Sequence, residues 1–379
     1  MEKNNQNELS CRLNKVGGQA VLEGVMMKAG NKTVTTCRKD DGTLVVTDDS
    51  FTSIRKKHKI LDLPIVRGVV NFVEMMMLSF KTLKNSTEAL GIEEEESKFE
   101  KWLKEKLGVK STDFIMAISL VLGLALSLVL FLGLPIFITW GINEISHLLS
   151  GNYIFIEGDK WDDTLKSVVE GLIKVVIFIG YLSLVSLMPE IKRTFMYHGA
   201  EHKSIACFEA GDELTPENAM KHKRFHPRCG TSFMFLMILI GVVAGICIRL
   251  IVPNIQTLPY TLIRLAILPI LMGVGYEIIM LAGKHDNWFT RAISAPGLWV
   301  QRITTKEPTL EMLEVAIVSI KCALRDDYPE FKEFFEERGW EEKPEVDALA
   351  ENDTAEFSEV AEGIDAEFGN NLEEDSSEE

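Results

Sequence analysis

The residues able to do chemistry gather in one polar block, Tyr197 to Ser232. It opens with Tyr197-His198-Gly199-Ala200-Glu201-His202-Lys203 and closes with His226-Pro227-Arg228-Cys229-Gly230-Thr231-Ser232. Four of the chain's seven histidines lie in it: His198, His202, His222 and His226. On a helix, His198 and His202 stand one turn apart on one face, and Glu201 falls on the same arc. The pattern is His-x-x-Glu-His, the reversed zincin helix, in which two imidazoles hold a metal and the carboxylate activates its water. His226 and Cys229 add a second pair of the ligand types zinc takes. His222 and His226 are also four apart, but Lys223 and Arg224 between them make that face a poor host for a cation. A bound divalent metal, with zinc as the expected ion, follows from this pattern.

The elements that position the block are apolar. Phe114–Ile142 carries no charge over 29 residues, more than the ~20 needed to span a bilayer. Thr164–Met188 is a second expected span, with Glu170 and Lys174 near its start and Pro189 at its exit. Thr231–Ile248 is a third, and Tyr260–Gly283 a fourth that contains Glu277. The expected fold is therefore an α-helical integral membrane protein with about four transmembrane helices and a small β-containing N-terminal cytoplasmic part. Lysine and arginine are concentrated before the first span, between the second and third, and after the fourth. That bias puts the histidine block and both termini in the cytoplasm of a multi-pass plasma-membrane protein. Cysteines without a C-x-x-C pair or regular spacing suit that reducing compartment.

Glu277 stands apart from the block. It lies seven residues before Lys284, hence roughly 10 Å inside the end of its span. An ionisable group there is costly and is a functional candidate. Two roles are open to it: a further metal ligand, or a hydrogen bond to a neighbouring span.

The rest of the chain divides as follows. Residues 1–14 form a polar lead-in without the apolar core of a signal peptide. Residues 15–110 form the cytoplasmic N-terminal part. There Gly17–Met27 suggests tight turns, and no Lys-Ser/Thr follows that would make a phosphate loop. Thr33–Lys39 and Thr43–Thr47 flank Asp40-Asp41-Gly42, a hairpin signal. Arg55-Lys56-Lys57-His58-Lys59 is a basic run suited to anionic headgroups. Ile65–Leu83 reads as an interfacial or packed helix whose methionines fill space, and 93–110 as a charged helix. Residues 111–285 form the membrane domain with its His-rich loop at 190–231. Residues 286–335 hold cytoplasmic amphipathic helices, including Leu310–Leu324. The tail, 336–379, is acidic: residues 341–379 contain 16 acids and one Lys, a net of −15 out of the chain's −16. Such a composition cannot bury a core.

Four stretches carry a family resemblance: Gly17–Met27, Leu63-Pro64-Ile65-Val66-Arg67-Gly68, His198–Lys203 and His226–Ser232. Together they resemble the YqhQ-like membrane proteins, the family called domain of unknown function 1385, over about residues 15–330. That family is described as predicted metal-dependent enzymes, so the resemblance implies a metal but no reaction. The expected function is a metal-dependent hydrolase at the cytoplasmic membrane face. His198 and His202 are its ligands, Glu201 its general base, and His226, Cys229 or Glu277 completes the shell. The competing class is a non-catalytic assembly or interaction factor, with a membrane-protein partner and a metal that only staples the loop. Four protein ligands would favour the staple. The bilayer is a partner in either case, and no nucleic acid is expected.

Overall fold

The computed structural model describes residues 12–13, 15–56, 59–91, 121–156, 159–253, 255–284 and 287–340. Most of the lead-in, the charged helix expected at 93–110, the start of the first span and the acidic tail lie outside these residues.

An antiparallel meander of four strands opens the fold: β1 (Val16–Val21), β2 (Gly24–Ala29), β3 (Lys32–Arg38) and β4 (Leu44–Ser50), in the order β1-β2-β3-β4. The expected hairpin is present. Gly42 takes φ 84° and the Thr43 N–H donates to Asp41 Oδ1 at 2.8 Å, the turn chemistry Asp and Gly supply. The glycine-rich stretch corrects its expectation. Gly17 and Gly18 lie inside β1, and the turn itself falls to Leu22 and Glu23, the latter at φ 47°. Gly24 is small for a different reason: a Cβ there would run into the Thr36 carbonyl and the Cys37 side chain.

The helices follow as α1 (Val66–Leu90), α2 (Val121–Ser150), α3 (Lys160–Val185), α4 (Pro189–Ala210), α5 (Pro216–Lys221), α6 (Gly230–Ile251), α7 (Thr257–Ala266), α8 (Leu268–Lys284), α9 (Trp288–Thr304), α10 (Leu310–Ala323) and α11 (Pro329–Glu336). One sheet face, with Val16, Val25, Met27 and Val34, forms a core with Tyr197 and Phe208 of α4 and Leu313, Ile317 and Ile320 of α10. Ion pairs stitch its rim: Arg325 to Asp48, Lys32 to Asp326, and Arg38 to Glu314. Thr309 caps α10 by accepting the Met312 N–H. The helix expected at Leu310–Leu324 is thus buried almost throughout. Truncating Leu313 to Ala would cost about 2–5 kcal/mol. The opposite sheet face takes α1, through Ser79 donating to Gln19 and Asn85 to Asp49.

Among the described residues three helices, α2, α3 and α6, are long and apolar enough to cross a membrane, and α7 with α8 makes a fourth candidate bent by 49°. Pro269 stands just beyond the bend, where its missing N–H breaks the helical ladder. Two differences from expectation concern the spans. First, α2 continues past Ile142, the expected end of the first span, to Ser150 and stops at Gly151, φ 72°. Second, the charges of α3 turn inward. Asp163, Ser167, Glu170 and Lys174 recur at helical spacing and are all buried. Arg249 of α6 meets Asp163 at 3.4 Å, and the Tyr260 hydroxyl of α7 lies 3.3 Å from Ser167. Leu172 and Val176 on the other face are exposed.

Candidate metal centre

Helix α4 carries the first two functional side chains. Pro189 begins it with a preset φ, and Gly211 ends it at φ 80°. Helical pitch then stacks His198 and His202, whose rings are 4.4 Å apart between centroids. Cys229 is the N-cap residue of α6, and its Sγ lies 3.1 Å from His198 Nε2. One ligand atom each from His198, His202 and Cys229 lies within 4.8 Å of the others, a compass that suits a single ion.

Both imidazoles are aimed by a backbone carbonyl. His198 Nδ1–H donates to the Thr304 carbonyl at 2.8 Å, and His202 Nδ1–H to the Arg224 carbonyl at 2.6 Å. Each Nε2 is thereby left as the ligating nitrogen, the tautomer that oriented metal ligands use. Thr304 ends α9, and the segment after it crosses over α4 where Gly199 has no side chain. A Cβ on Gly199 would collide with the Lys306 carbonyl, while Lys306 N–H donates to Phe195 O at 2.8 Å. The loop before Cys229 is held by fully buried Gln301. Its amide donates to the His226 carbonyl and to Ser232 Oγ, both at 2.7 Å, and accepts the His226 N–H at 2.8 Å. Thr304 and Gln301 were missed in the sequence, since nothing local marks residues that act from 106 and 75 positions downstream.

Electrostatics favour the ligating form of the thiol. Burial pushes the Cys229 thiol up, but the His198 charge and hydrogen bonds from His198 and His202 outweigh it and hold the group well below the usual thiol range. Burial likewise pushes His198 down, and the Cys229 thiolate beside it lifts the imidazole to about 9. Both shifts favour a thiolate beside a protonated imidazole, whose proton a metal would displace.

Glu201 lies beside this group and is 5% exposed. Burial raises its carboxyl, against the lowering influence of His202 and His198. Strand β1 covers it: a Cβ on Gly18 would stand 3.0 Å from Glu201 Cγ and 2.8 Å from the Met26 carbonyl. The turn beyond is fastened to α4 by Glu23, which pairs with Arg193 and accepts from the Tyr197 hydroxyl at 3.2 Å. The glycine-rich stretch is thus a lid on the Glu201 side of α4.

The remaining candidates sit elsewhere. His226 is next to the group, its ring 5.7 Å from that of His202, but its Nε2 lies 3.2 Å from Arg228 and 3.5 Å from Glu209. Glu209 is pushed up by burial, yet His226 and Arg228 bring it down to about 2. His222 bonds Asp212 at 2.8 Å. Glu277 is not brought to the group: Arg67 grips both its oxygens at 2.6 and 2.5 Å. Gly68 and Gly273 let the two helices meet there, since a Cβ on Gly68 would lie 2.8 Å from Gly273 Cα. Ile65, just before, takes φ 72°, a strained value for a β-branched residue.

Comparison with known proteins agrees with the motifs. A family model described as "Protein of unknown function (DUF1385)" matches residues 63–326, which include the three grouped ligands and Glu201. The uncharacterized protein YqhQ of Bacillus subtilis (strain 168) is 32% identical over 315 residues, 82% of this chain and 92% of the relative. No solved structure matches. On the extent of both matches, the chain belongs to the DUF1385 family.

Proposed function

We propose that the protein is a metal-dependent hydrolase of the plasma membrane, with its centre at the cytoplasmic face. His198, His202 and Cys229 hold one divalent ion, zinc by the nitrogen and sulfur donor set. Glu201 is the general base that takes a proton from water. The observation that carries this reading is the conjunction of three convergent ligands, two of them carbonyl-oriented imidazoles, with the buried Glu201 carboxylate beside them on the same helix as those imidazoles. A catalytic zinc site keeps three protein ligands and one open position, whereas a structural site closes with four. Such an ion would polarise a substrate carbonyl or phosphoryl oxygen and make water acidic enough to attack at neutral pH. The chain's own part is to aim the ligands through Thr304 and Arg224, to accept the proton on Glu201, and to exclude bulk water with β1. His226 and Glu277 are outside the ligand set in this reading, because Arg228, Glu209 and Arg67 occupy them.

Membrane topology is part of the proposal. The sheet and α10 share one core, so they lie on one side of a bilayer and the chain between them crosses it an even number of times. Among the described residues three helices qualify unaided, and the bent α7–α8 pair as a fourth crossing gives the even number. The lysine and arginine bias puts the shared core in the cytoplasm.

X-ray absorption on the metal-loaded, detergent-purified protein tests the centre. Two nitrogens, one sulfur and one lighter oxygen ligand from solvent are expected. Four protein ligands would overturn the hydrolase in favour of the staple, and absence of stoichiometric metal would overturn both. For topology, an impermeant maleimide added to intact cells should label a cysteine placed at Asn152 but not Cys229.

A further inference from the structure

Helix α1 is amphipathic in the opposite sense to a surface helix of a water-soluble protein. Its buried positions, Gly68, Glu74, Leu78, Thr82 and Ser86, recur at helical spacing and are mostly polar. Glu74 accepts from Ser53 Oγ at 2.9 Å and from the Ile54 N–H at 2.7 Å, Thr82 and Ser86 donate to the Leu78 and Leu83 carbonyls of the helix itself, both at 2.7 Å, and beside them Lys81 reaches Asp49 at 3.2 Å. The outward positions are apolar. Val66, Val73, Met76, Phe80 and Leu83 are 37–52% exposed, and at 100° per residue they fall within one arc of about 100°, opposite the buried one.

We propose that this face lies in the lipid interface, with α1 parallel to the membrane plane. The proposal rests on the membrane placement of the spans and is independent of the metal. Three observations select lipid as the occupant. First, the helix is seated on the candidate spans: Gly68 meets Gly273 of α8 and Arg67 grips Glu277 from its buried side, and the Phe72 ring, next to the apolar arc, lies tilted against Phe233 of α6 at 6.2 Å between centroids. Second, Lys84 flanks the arc, and the basic run Arg55-Lys56-Lys57-His58-Lys59 precedes it, as anionic headgroups favour. Third, α9, which packs beside α8 and α6, exposes Trp288, Phe289 and Trp299, the residue types of an interfacial belt. At 25 residues α1 is long enough to span, but Glu74, Lys81, Lys84 and Glu88 along it exclude a span. The helix holds the sheet on the bilayer, and the sheet in turn covers Glu201.

The test uses the full chain in phosphatidylcholine–phosphatidylglycerol vesicles. A photoreactive benzophenone side chain replaces Phe80 or Met76 in separate variants. Val176, exposed on α3, serves as a span control and Lys332, exposed on α11, as an aqueous control. After illumination, covalent lipid adducts are counted by mass spectrometry. Adduct yields at Phe80 and Met76 about tenfold above Lys332 and close to Val176 are expected of an interfacial face. Yields at the Lys332 level, with Val176 labelled, would overturn the proposal. So would crosslinks to a second copy or to another part of the same chain, which would make the face a protein interface. No adduct at Val176 would remove the membrane placement on which the proposal stands.

Discussion

Cys229→Ser probes the centre at the ligand least tolerant of replacement. Structural zinc sites bind with an apparent 10–16 kcal/mol over four ligands at neutral pH, so one ligand is worth about 2.5–4 kcal/mol, or about two to three orders of magnitude in Kd. The full loss is expected at this position. The Cys229 Sγ lies 3.1 Å from His198 Nε2, and that contact favours its thiolate form. A serine hydroxyl in its place stays protonated at neutral pH and offers no anion. Its other neighbour, the Thr231 hydroxyl at 3.2 Å, cannot replace it as a ligand for the same reason. The assay is competition with a chromogenic chelator on detergent-purified protein at pH 7, with metal content read in parallel. Glu277→Gln is the matched comparison, because Arg67 already holds that carboxylate. Metal affinity of Cys229→Ser within about threefold of wild type would refute its role as a ligand. A loss of tenfold or more in Glu277→Gln would put Glu277 back into the ligand set.

Glu201→Gln should keep its metal with nearly unchanged affinity, since a general base is not a ligand; metal loss on elemental analysis would make Glu201 a ligand instead. Gly199→Ala should push the Lys306 carbonyl, and with it Thr304, away from α4. Losing the Thr304 acceptor should weaken metal binding by about 10–100-fold, and a chelator titration indistinguishable from wild type would contradict it. Gly18→Ala should destabilise the folded protein by about 1–3 kcal/mol through overpacking, because the Met26 carbonyl at 2.8 Å cannot yield as a side chain could. An unchanged thermal midpoint in detergent would show that β1 does not press on Glu201.

Residue type and spacing made part of the centre readable in the sequence. His198 and His202 share a helical face in any α-helix, and Cys229 is an uncommon, metal-seeking side chain in the same polar block. Glu277 was not assignable from the sequence. Its fate depends on Arg67, 210 residues away, and the clue was only that Arg67 interrupts an apolar motif. The buried polar face of α3 was hidden for a related reason. Hydropathy averages over a helix, so Glu170 and Lys174 read as a weakened span rather than as one side of it. In Gly17–Met27 the glycines suggested turns, whereas Gly18 and Gly24 are needed because other atoms come too close for a Cβ. Close approach is a tertiary fact with no local signature.

The core shared by the sheet and α10 also sets an order in time. Ser50 ends β4, and Leu310 begins α10 260 residues later. At about 5–20 residues per second, the sheet waits roughly 13–52 s for that partner during synthesis. Tyr197 and Phe208 of α4 reach the face of Val25, Met27 and Val34 earlier, but Leu313, Ile317 and Ile320 arrive only after every candidate span has been made. A nascent chain stalled before residue 310 therefore presents an open apolar sheet face, the kind of surface chaperones and proteases recognise. Completion of the C-terminal helices is the step at which the N-terminal strands, and the lid they form over Glu201, become fixed.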